Sequence, residues 1–411
     1  MPLDGASKNP ILDYIQKLPE TKKSLPFGVP TCVMASHLIT TSAALVQLAA
    51  DLGPYIAVLA VQAEIIDDWT QETTDELTFY AKKHGFILWE ASRVLNSTLN
   101  LMGRLAAHHD SLATLADIIK RNYTNGAIRN AQWAGLASAW APGVPVDHQE
   151  KDLLIPTLRR AAREAVATTV KTIQTEISAD LSESSHEEEE ELQLSPQVST
   201  GWSEFSQENM GSALRKSSTI SVTTETITMQ PHVQPDEGIA PAPLLSRGIA
   251  ICLPCDKESA FTSEYRKASI AAACANPDFV IGFLSAEPYF AQDRPRNLRE
   301  LIIGDDVDDA QHKEGQEVFS TTPHFLELER PIALFSFVPY EIAYAYDMEV
   351  NQAPKEDPPD DARPASVKKL FTVMERVMAV REENRKKQAA PNDASKLPGP
   401  SIFHIPVNLI P

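Results

Sequence analysis

The chain has little glycine, still less cysteine and no long apolar run. Its 16 glycines in 411 residues are about half of average usage, which leaves few for loops that bind phosphate through backbone amides. Four cysteines argue against a disulfide framework in a chain this long, and Cys252 and Cys255 lack the second pair or nearby histidine of a zinc site. No run reaches membrane-span length, and the first residues do not resemble a leader. We therefore expect a cytoplasmic protein without a metal or a membrane partner.

Basic residues are also in deficit. The chain has 37 lysines and arginines against 56 acidic residues, a formal net charge of −19, which disfavours direct binding of nucleic acid. Much of this charge lies in residues 180–238, which contain twelve acidic residues and only two basic ones, Arg215 and Lys216. The wider stretch 178–245 is rich in serine, threonine and proline, and it offers too little apolar surface to offset the entropy of ordering. It is predicted to be a long disordered acidic insertion.

What the chain does contain is an alternation of short apolar runs with helical patterns. Eight runs predict strands, at 30–36, 55–60, 86–91, 133–139, 247–253, 278–284, 300–304 and 331–338. Runs that are apolar throughout are typical of parallel strands covered by helices, so the pattern predicts an α/β protein with a closed (β/α)8 TIM barrel. An open doubly wound sheet would give the same pattern. The predicted parts are an N-terminal helical extension (1–29), the first half-barrel (30–177), the insertion (178–245), the second half-barrel (246–387) and a C-terminal tail (388–411).

Three blocks carry a resemblance to a known family. Residues 52–69 read LGPYIAVLAVQAEIIDDW, residues 88–96 read LWEASRVLN, and residues 263–283 read SEYRKASIAAACANPDFVIGF. In these blocks the chain resembles the orotidine 5'-monophosphate decarboxylase family. The resemblance implies a TIM barrel, a carboxy-lyase of pyrimidine biosynthesis that needs no cofactor, and a homodimer with its active sites at the carboxyl ends of the strands.

The resemblance also implies where the catalytic groups should lie. The family's third strand carries Asp-x-Lys-x-x-Asp, which falls here on Ala91, Arg93 and Asn96, and its second-strand lysine falls on Ala60. An alanine carries no charge, and a guanidinium holds its proton to about pH 12 and above, so neither supplies the proton that the reaction needs. Asp117, in an LADI run similar to the family's Phe-Ala-Asp-Ile, is the alternative place for the second aspartate.

Positions that would bind the substrate are also altered. The family's first-strand aspartate falls on Leu38, its second-strand histidine on Gln62, and the arginine after its eighth strand on Phe337. The acidic run GDDVDDAQ stands where the family has a turn whose amides face the phosphate, and four carboxylates there would repel a dianion. Lys257 and Gln316 match the family and are predicted to be substrate-binding residues.

The sequence therefore predicts a family member that has lost the parent reaction and acts as a binding or partner subunit. It would form a homodimer, or a heterodimer with another family member, and a small-molecule ligand is compatible with either. Two alternatives stay open: a decarboxylase with a repurposed pocket for a different small acid, and a residual orotidine 5'-phosphate decarboxylase in UMP biosynthesis. A partner subunit should have its barrel filled by Trp89, Trp140 or Phe337. A repurposed enzyme should have a closed pocket with convergent polar groups, for which Glu90 and Arg93 are candidates.

Overall fold

A computed structural model describes residues 9–96, 111–142, 144–169, 233–253, 263–285, 332–339, 342, 363–388 and 402–411. Eight parallel strands form a closed barrel in chain order, and the last strand pairs with the first. The predicted (β/α)8 barrel is confirmed, and the open doubly wound alternative is wrong. No helix within the described ranges is long and apolar enough to cross a membrane.

The strands match the apolar runs because most of their residues are buried, between the barrel interior on one side and the helices on the other. They are β1 (Cys32–Ala35), β2 (Val58–Val61), β3 (Ile87–Val94), β4 (Leu136–Ala139), β5 (Gly248–Leu253), β6 (Val280–Ser285), β7 (Ile332–Phe337) and β8 (Ile402–Ile410). The described helices are α1 (Pro10–Thr21), α2 (Ser42–Leu52), α3 (Gln71–His84), α4 (Ser111–Thr124), α5 (Asn130–Trp133), α6 (Leu154–Thr169), α7 (Ser263–Ala275) and α8 (Ala365–Gln388).

Helix α1 covers the N-terminal end of the barrel. Asn9 caps it by accepting hydrogen bonds from the amides of Ile11 and Leu12, and Pro10 occupies the first turn, where no backbone donor is needed. The apolar face of α1 then packs into the same buried cluster as alternate residues of the strands. The predicted N-terminal helical extension therefore forms the floor of the barrel.

The predicted numbering of the last two strands is wrong. The run at 331–338 forms β7 instead of the eighth strand, and the run at 300–304 lies outside the described residues. The eighth strand is Ile402–Ile410, inside the predicted C-terminal tail, and it pairs with both β7 and β1. The sequence concealed it because Pro406 lacks a backbone donor, and because polar His404 and Asn408 alternate with the apolar residues. Asn408 is buried nevertheless, and its side-chain amide contacts the sulfur of Met374 on α8 at 3.4 Å.

The predicted insertion is too long at its C-terminal end. Residues 170–232 lie outside the described part, but residues 233–247, which we call the strap, are placed against the barrel. The guanidinium of Arg247 holds the end of the strap by donating to four backbone carbonyls, those of Ala131, Gln132, Leu244 and Ser246. The proline-rich composition predicted disorder for the strap. Proline, however, has no backbone N–H that needs a partner, and the buried guanidinium of Arg247 satisfies four backbone carbonyls.

Candidate active site at the carboxyl ends of the strands

Aromatic side chains fill the middle of the barrel. Trp89 on β3 is fully buried, and its ring centroid lies 4.9 Å from that of Phe335 on β7. The indole N–H donates to the hydroxyl of Ser138 on β4 at 3.1 Å, so the polar atom of the tryptophan is satisfied within the barrel. Trp89 and Phe335 therefore pack against each other in the barrel interior. Phe337 at the end of β7 is half-buried and packs against the same interior cluster.

The two alanines at implied catalytic positions belong to this apolar interior. Ala60 is fully buried and lies in register between Met34 on β1 and Trp89 on β3. Ala91 is half-buried and packs against the same cluster. Neither side chain contributes a donor, an acceptor or a charge to the barrel interior.

Strand β3 loses its regular pairing where the family's catalytic motif falls. Its register with β4 shifts between Glu90 and Val94, and such a bulge turns the side chains of the intervening residues. The guanidinium of Arg93 forms an ion pair with Glu64, which lies in the turn after β2. A Cβ on Gly126, in the loop after α4, would lie 3.4 Å from the same guanidinium. Arg93 is thus neutralised by a neighbouring carboxylate and is packed beside the loop after α4.

Asn96 joins the ends of β3 and β4. Its side-chain amide donates to the carbonyl of Trp140 at 2.9 Å, and its side-chain oxygen accepts from the amide of Trp140 at 2.7 Å. An aspartate could accept from the Trp140 N–H but could not donate to the Trp140 carbonyl. The asparagine side chain is therefore engaged at both of its polar ends with the backbone of Trp140, which is a structural role.

Glu90 is the buried carboxylate nearest to this segment. It accepts hydrogen bonds from the amides of Ser92 and Arg93 at 3.1 and 3.2 Å, from the Ser92 hydroxyl, and from the side chain of Asn130 at 3.4 Å. Burial raises its pKa to about 7, more than the hydrogen bonds from Ser92 and Arg93 lower it, and Glu64 adds a repulsive charge. Because these neighbours hold the bulge of β3, Glu90 stabilises the strand end and is not paired with Arg93.

We predict that Glu90→Gln flattens the dependence of stability on pH. The folded-state pKa of Glu90 lies above its ordinary value of 4.5, so its contribution to stability is present below that pH and is lost as the pH rises through 7. The unfolding free energy of Glu90→Gln minus that of the wild type should increase by about 1–3 kcal/mol when the pH is raised from 5 to 8. Urea denaturation at four pH values measures this gain. Glu76→Gln, at an exposed position of α3, is the control. A Glu90→Gln curve parallel to that of the wild type would contradict the prediction.

The remaining implied site residues are scattered. Leu38 is 69% exposed in the turn after β1, and Gln62 is half-buried directly after β2. Asp117 is on the exposed side of α4, where it pairs with Arg121 at 2.6 Å, so it does not supply the second aspartate in this structure. Phe337 ends β7 and not the eighth strand, so the carry-over of the phosphate-binding arginine onto it does not hold. The last two, Lys257 and Gln316, lie outside the described residues.

Sequence reasoning missed the partners that occupy these side chains. Each of these pairs joins residues that are far apart along the chain, and no local pattern indicates the pairing. The pairs are Arg93 with Glu64, Glu90 with Asn130, and Trp89 with Ser138. Across the described ranges, no three side chains of the kinds that bind metals come together.

Comparison with known proteins identifies relatives over most of the chain. No protein-family model matches it. The chain is 27% identical over 306 residues to the orotidine 5'-phosphate decarboxylase of Yarrowia lipolytica, which covers 71% of this chain and 77% of the relative. It is 25% identical over 305 residues to that of Sordaria macrospora, covering 69% and 68%. A match to the enzyme of Magnusiomyces magnusii is 33% identical over 138 residues but spans only 39% of that relative.

The two long alignments and the barrel are consistent with each other. Each long alignment covers more than two thirds of both chains, and the structure is a closed barrel of eight parallel strands. Over about 70% of its length, this chain is therefore similar to fungal orotidine 5'-phosphate decarboxylases, which supports its membership of that family.

Proposed function

We propose that this family member does not decarboxylate orotidine 5'-phosphate and that it acts as a binding or partner subunit. One observation carries the proposal: Ala60, on which the family's second-strand lysine falls, is buried between Met34 and Trp89 inside the barrel. Loss of CO2 leaves a carbanion that must be protonated, and a positioned acid within hydrogen-bond reach is the usual way to do so. The methyl group of Ala60 supplies neither a charge nor a proton, and the family's third-strand lysine falls on Arg93.

The state of Arg93 supports the same proposal. A guanidinium stays charged to about pH 12 and above, so it is a poor proton donor wherever it is placed. Arg93 is moreover paired with Glu64, so its guanidinium is engaged with a carboxylate of the protein. A change of geometry alone would therefore not turn Arg93 into the missing acid.

The polar groups at the end of β3 favour a partner role over a repurposed enzyme. Among the described residues there, Asn96 is engaged with Trp140 and Arg93 with Glu64, so neither is directed at a ligand. Pockets that bind small molecules are typically concave, with a few polar groups directed at the ligand. On this proposal the chain forms a homodimer, or a heterodimer with a catalytically competent family member.

Direct assay of the purified chain tests the loss of activity. We expect release of CO2 from orotidine 5'-phosphate at the uncatalysed background rate, no rescue of a uridine-requiring strain that lacks the decarboxylase, and no saturable binding of UMP. The Yarrowia lipolytica enzyme, assayed in parallel, is the positive control. Turnover well above background would overturn the proposal and favour a residual decarboxylase.

The partner role is tested separately by molar mass. Light scattering should give the molar mass of a dimer for the chain alone, or that of a heterodimer containing both chains for a mixture with a family decarboxylase. If this chain stays monomeric in both samples, the partner role is rejected even if the chain proves inactive.

A further inference from the structure

We propose that the strap, residues 233–247, is a latch across the N-terminal end of the barrel that acidification tightens, through contact of Asp236 with the cationic groups around His84. The strap joins the barrel directly after the long acidic segment, at the end of the barrel opposite the candidate active site. The device is therefore distinct from the site at the carboxyl ends of the strands.

Arg247 anchors the C-terminal end of the strap, and Ala242 and Leu244 pack against the barrel clusters, but few contacts hold its N-terminal part in place. The amide of Asp236 donates to the carbonyl of Lys83 at 2.8 Å, and the hydroxyl of Tyr14 on α1 donates to the carbonyl of Ala240 at 3.2 Å. The side chain of Ile239 packs closely against Gly85, since a Cβ on Gly85 would lie only 2.5 Å from Ile239 Cγ2. Most strap residues remain half-buried or exposed. A segment with so few buried contacts can open locally while the barrel stays folded.

The carboxylate of the strap meets a cluster of basic groups. Asp236 Oδ2 lies 2.6 Å from Nδ1 of His84, whose side chain is 9% exposed. The charged groups that face His84 are Asp236 from the strap, Lys83 from α3 and Lys22 from the end of α1, and the ring of Tyr80 stacks on the imidazole at 5.9 Å. The ammonium of Lys22 donates to the backbone carbonyl of His84 at 2.6 Å, so the two cationic groups share one neighbourhood.

Proton linkage gives the direction of the effect. Burial lowers the pKa of His84, and burial lowers the pKa of Lys22 to about 7, so both groups gain charge as the solution becomes more acidic. Asp236 raises the pKa of each of them. Because Asp236 arrives with the strap, docking of the strap favours the protonated forms of both groups, and protonation must favour docking in return. The contribution is present at low pH and is lost as the pH rises through the range in which the two groups titrate.

Hydrogen exchange of the strap tests the latch. Protection of the peptide that covers residues 233–245, corrected for intrinsic exchange rates, should be about three- to tenfold higher at pH 5.5 than at pH 7.5. Asp236→Asn should lower protection at both values and bring the ratio close to one, and His84→Gln should reduce the ratio. Glu237→Gln, at the exposed neighbouring position, should retain the wild-type ratio.

The peptide that covers β2 reports global opening in the same samples. An equal change in β2 and the strap would show that the effect is global, and it would overturn the latch. A wild-type ratio of one, or an unchanged ratio in Asp236→Asn, would overturn it as well. Because Asp236 is partly exposed and contributes to no strand, its substitution should leave the barrel folded.

Discussion

Lys22→Met should lower the unfolding free energy of this protein by about 3–5 kcal/mol. The ammonium of Lys22 is 1% exposed and lies among four backbone carbonyls. These are Gly53 at 2.7 Å, Ile56 at 2.6 Å, His84 at 2.6 Å and Gly85 at 3.3 Å. Methionine matches the length of the side chain but has no donor, so these buried acceptors lose their partner. Chemical denaturation followed by tryptophan fluorescence measures the loss.

The adjacent residue provides a matched control. Lys23 is exposed, and its ammonium donates only to the carbonyl of Pro19 at 3.0 Å, within the same chain segment. Lys23→Met should change the unfolding free energy by no more than about 0.5 kcal/mol. Equal effects of the two substitutions would show that the four carbonyls do not depend on Lys22.

Ile405→Asp should destabilise the barrel by at least about 4 kcal/mol, and it is expected to abolish cooperative unfolding. Ile405 is fully buried in β8, in register with Phe335 of β7. A carboxylate at this position would lie among apolar side chains of the barrel interior without a partner. The size of the effect follows from the assignment of residues 402–410 to a barrel strand, since an aspartate in a solvated tail would be nearly neutral.

Leu409→Asp, on the same strand, distinguishes a barrel strand at residues 402–410 from a solvated tail. Leu409 is 37% exposed at the carboxyl end of β8, where a new carboxylate keeps contact with water. It should cost much less than Ile405→Asp in the same denaturation experiment. Small and equal losses at the two positions would remove β8 from the barrel and restore the tail that the sequence predicts.

The runs of buried apolar residues were enough to locate seven of the strands, although the seventh was numbered as the eighth. Parallel strands that are covered on both faces need side chains that are apolar at successive positions, and β1 to β7 each lie within or overlap a predicted run. The sequence did not predict β8, because His404 and Asn408 on its outward side interrupt the apolar pattern. The side-chain amide of Asn408 contacts Met374 on α8, and the sequence does not reveal such a contact.

The candidate site, like the fold, could be predicted from the sequence only in part. Substituted residue types predicted which chemical groups are missing at Ala60 and Ala91, since an alanine has no proton to offer in any fold. The engagement of Arg93 with Glu64 and of Asn96 with the backbone of Trp140 depends on how strand ends and turns approach each other. Those approaches are set by the register shift in β3, which is a property of the folded barrel and not of the local sequence.

The pairing of β1 with β8 has a consequence for biosynthesis. Cys32 and Val407 are partners across the seam of the barrel, so the edge of β1 stays without its neighbour while nearly the whole chain is being made. At about 5–20 residues per second, a ribosome needs tens of seconds to deliver the missing strand. During that interval β1 offers a free row of amides and carbonyls to any other nascent strand, so chaperone demand should concentrate at this seam.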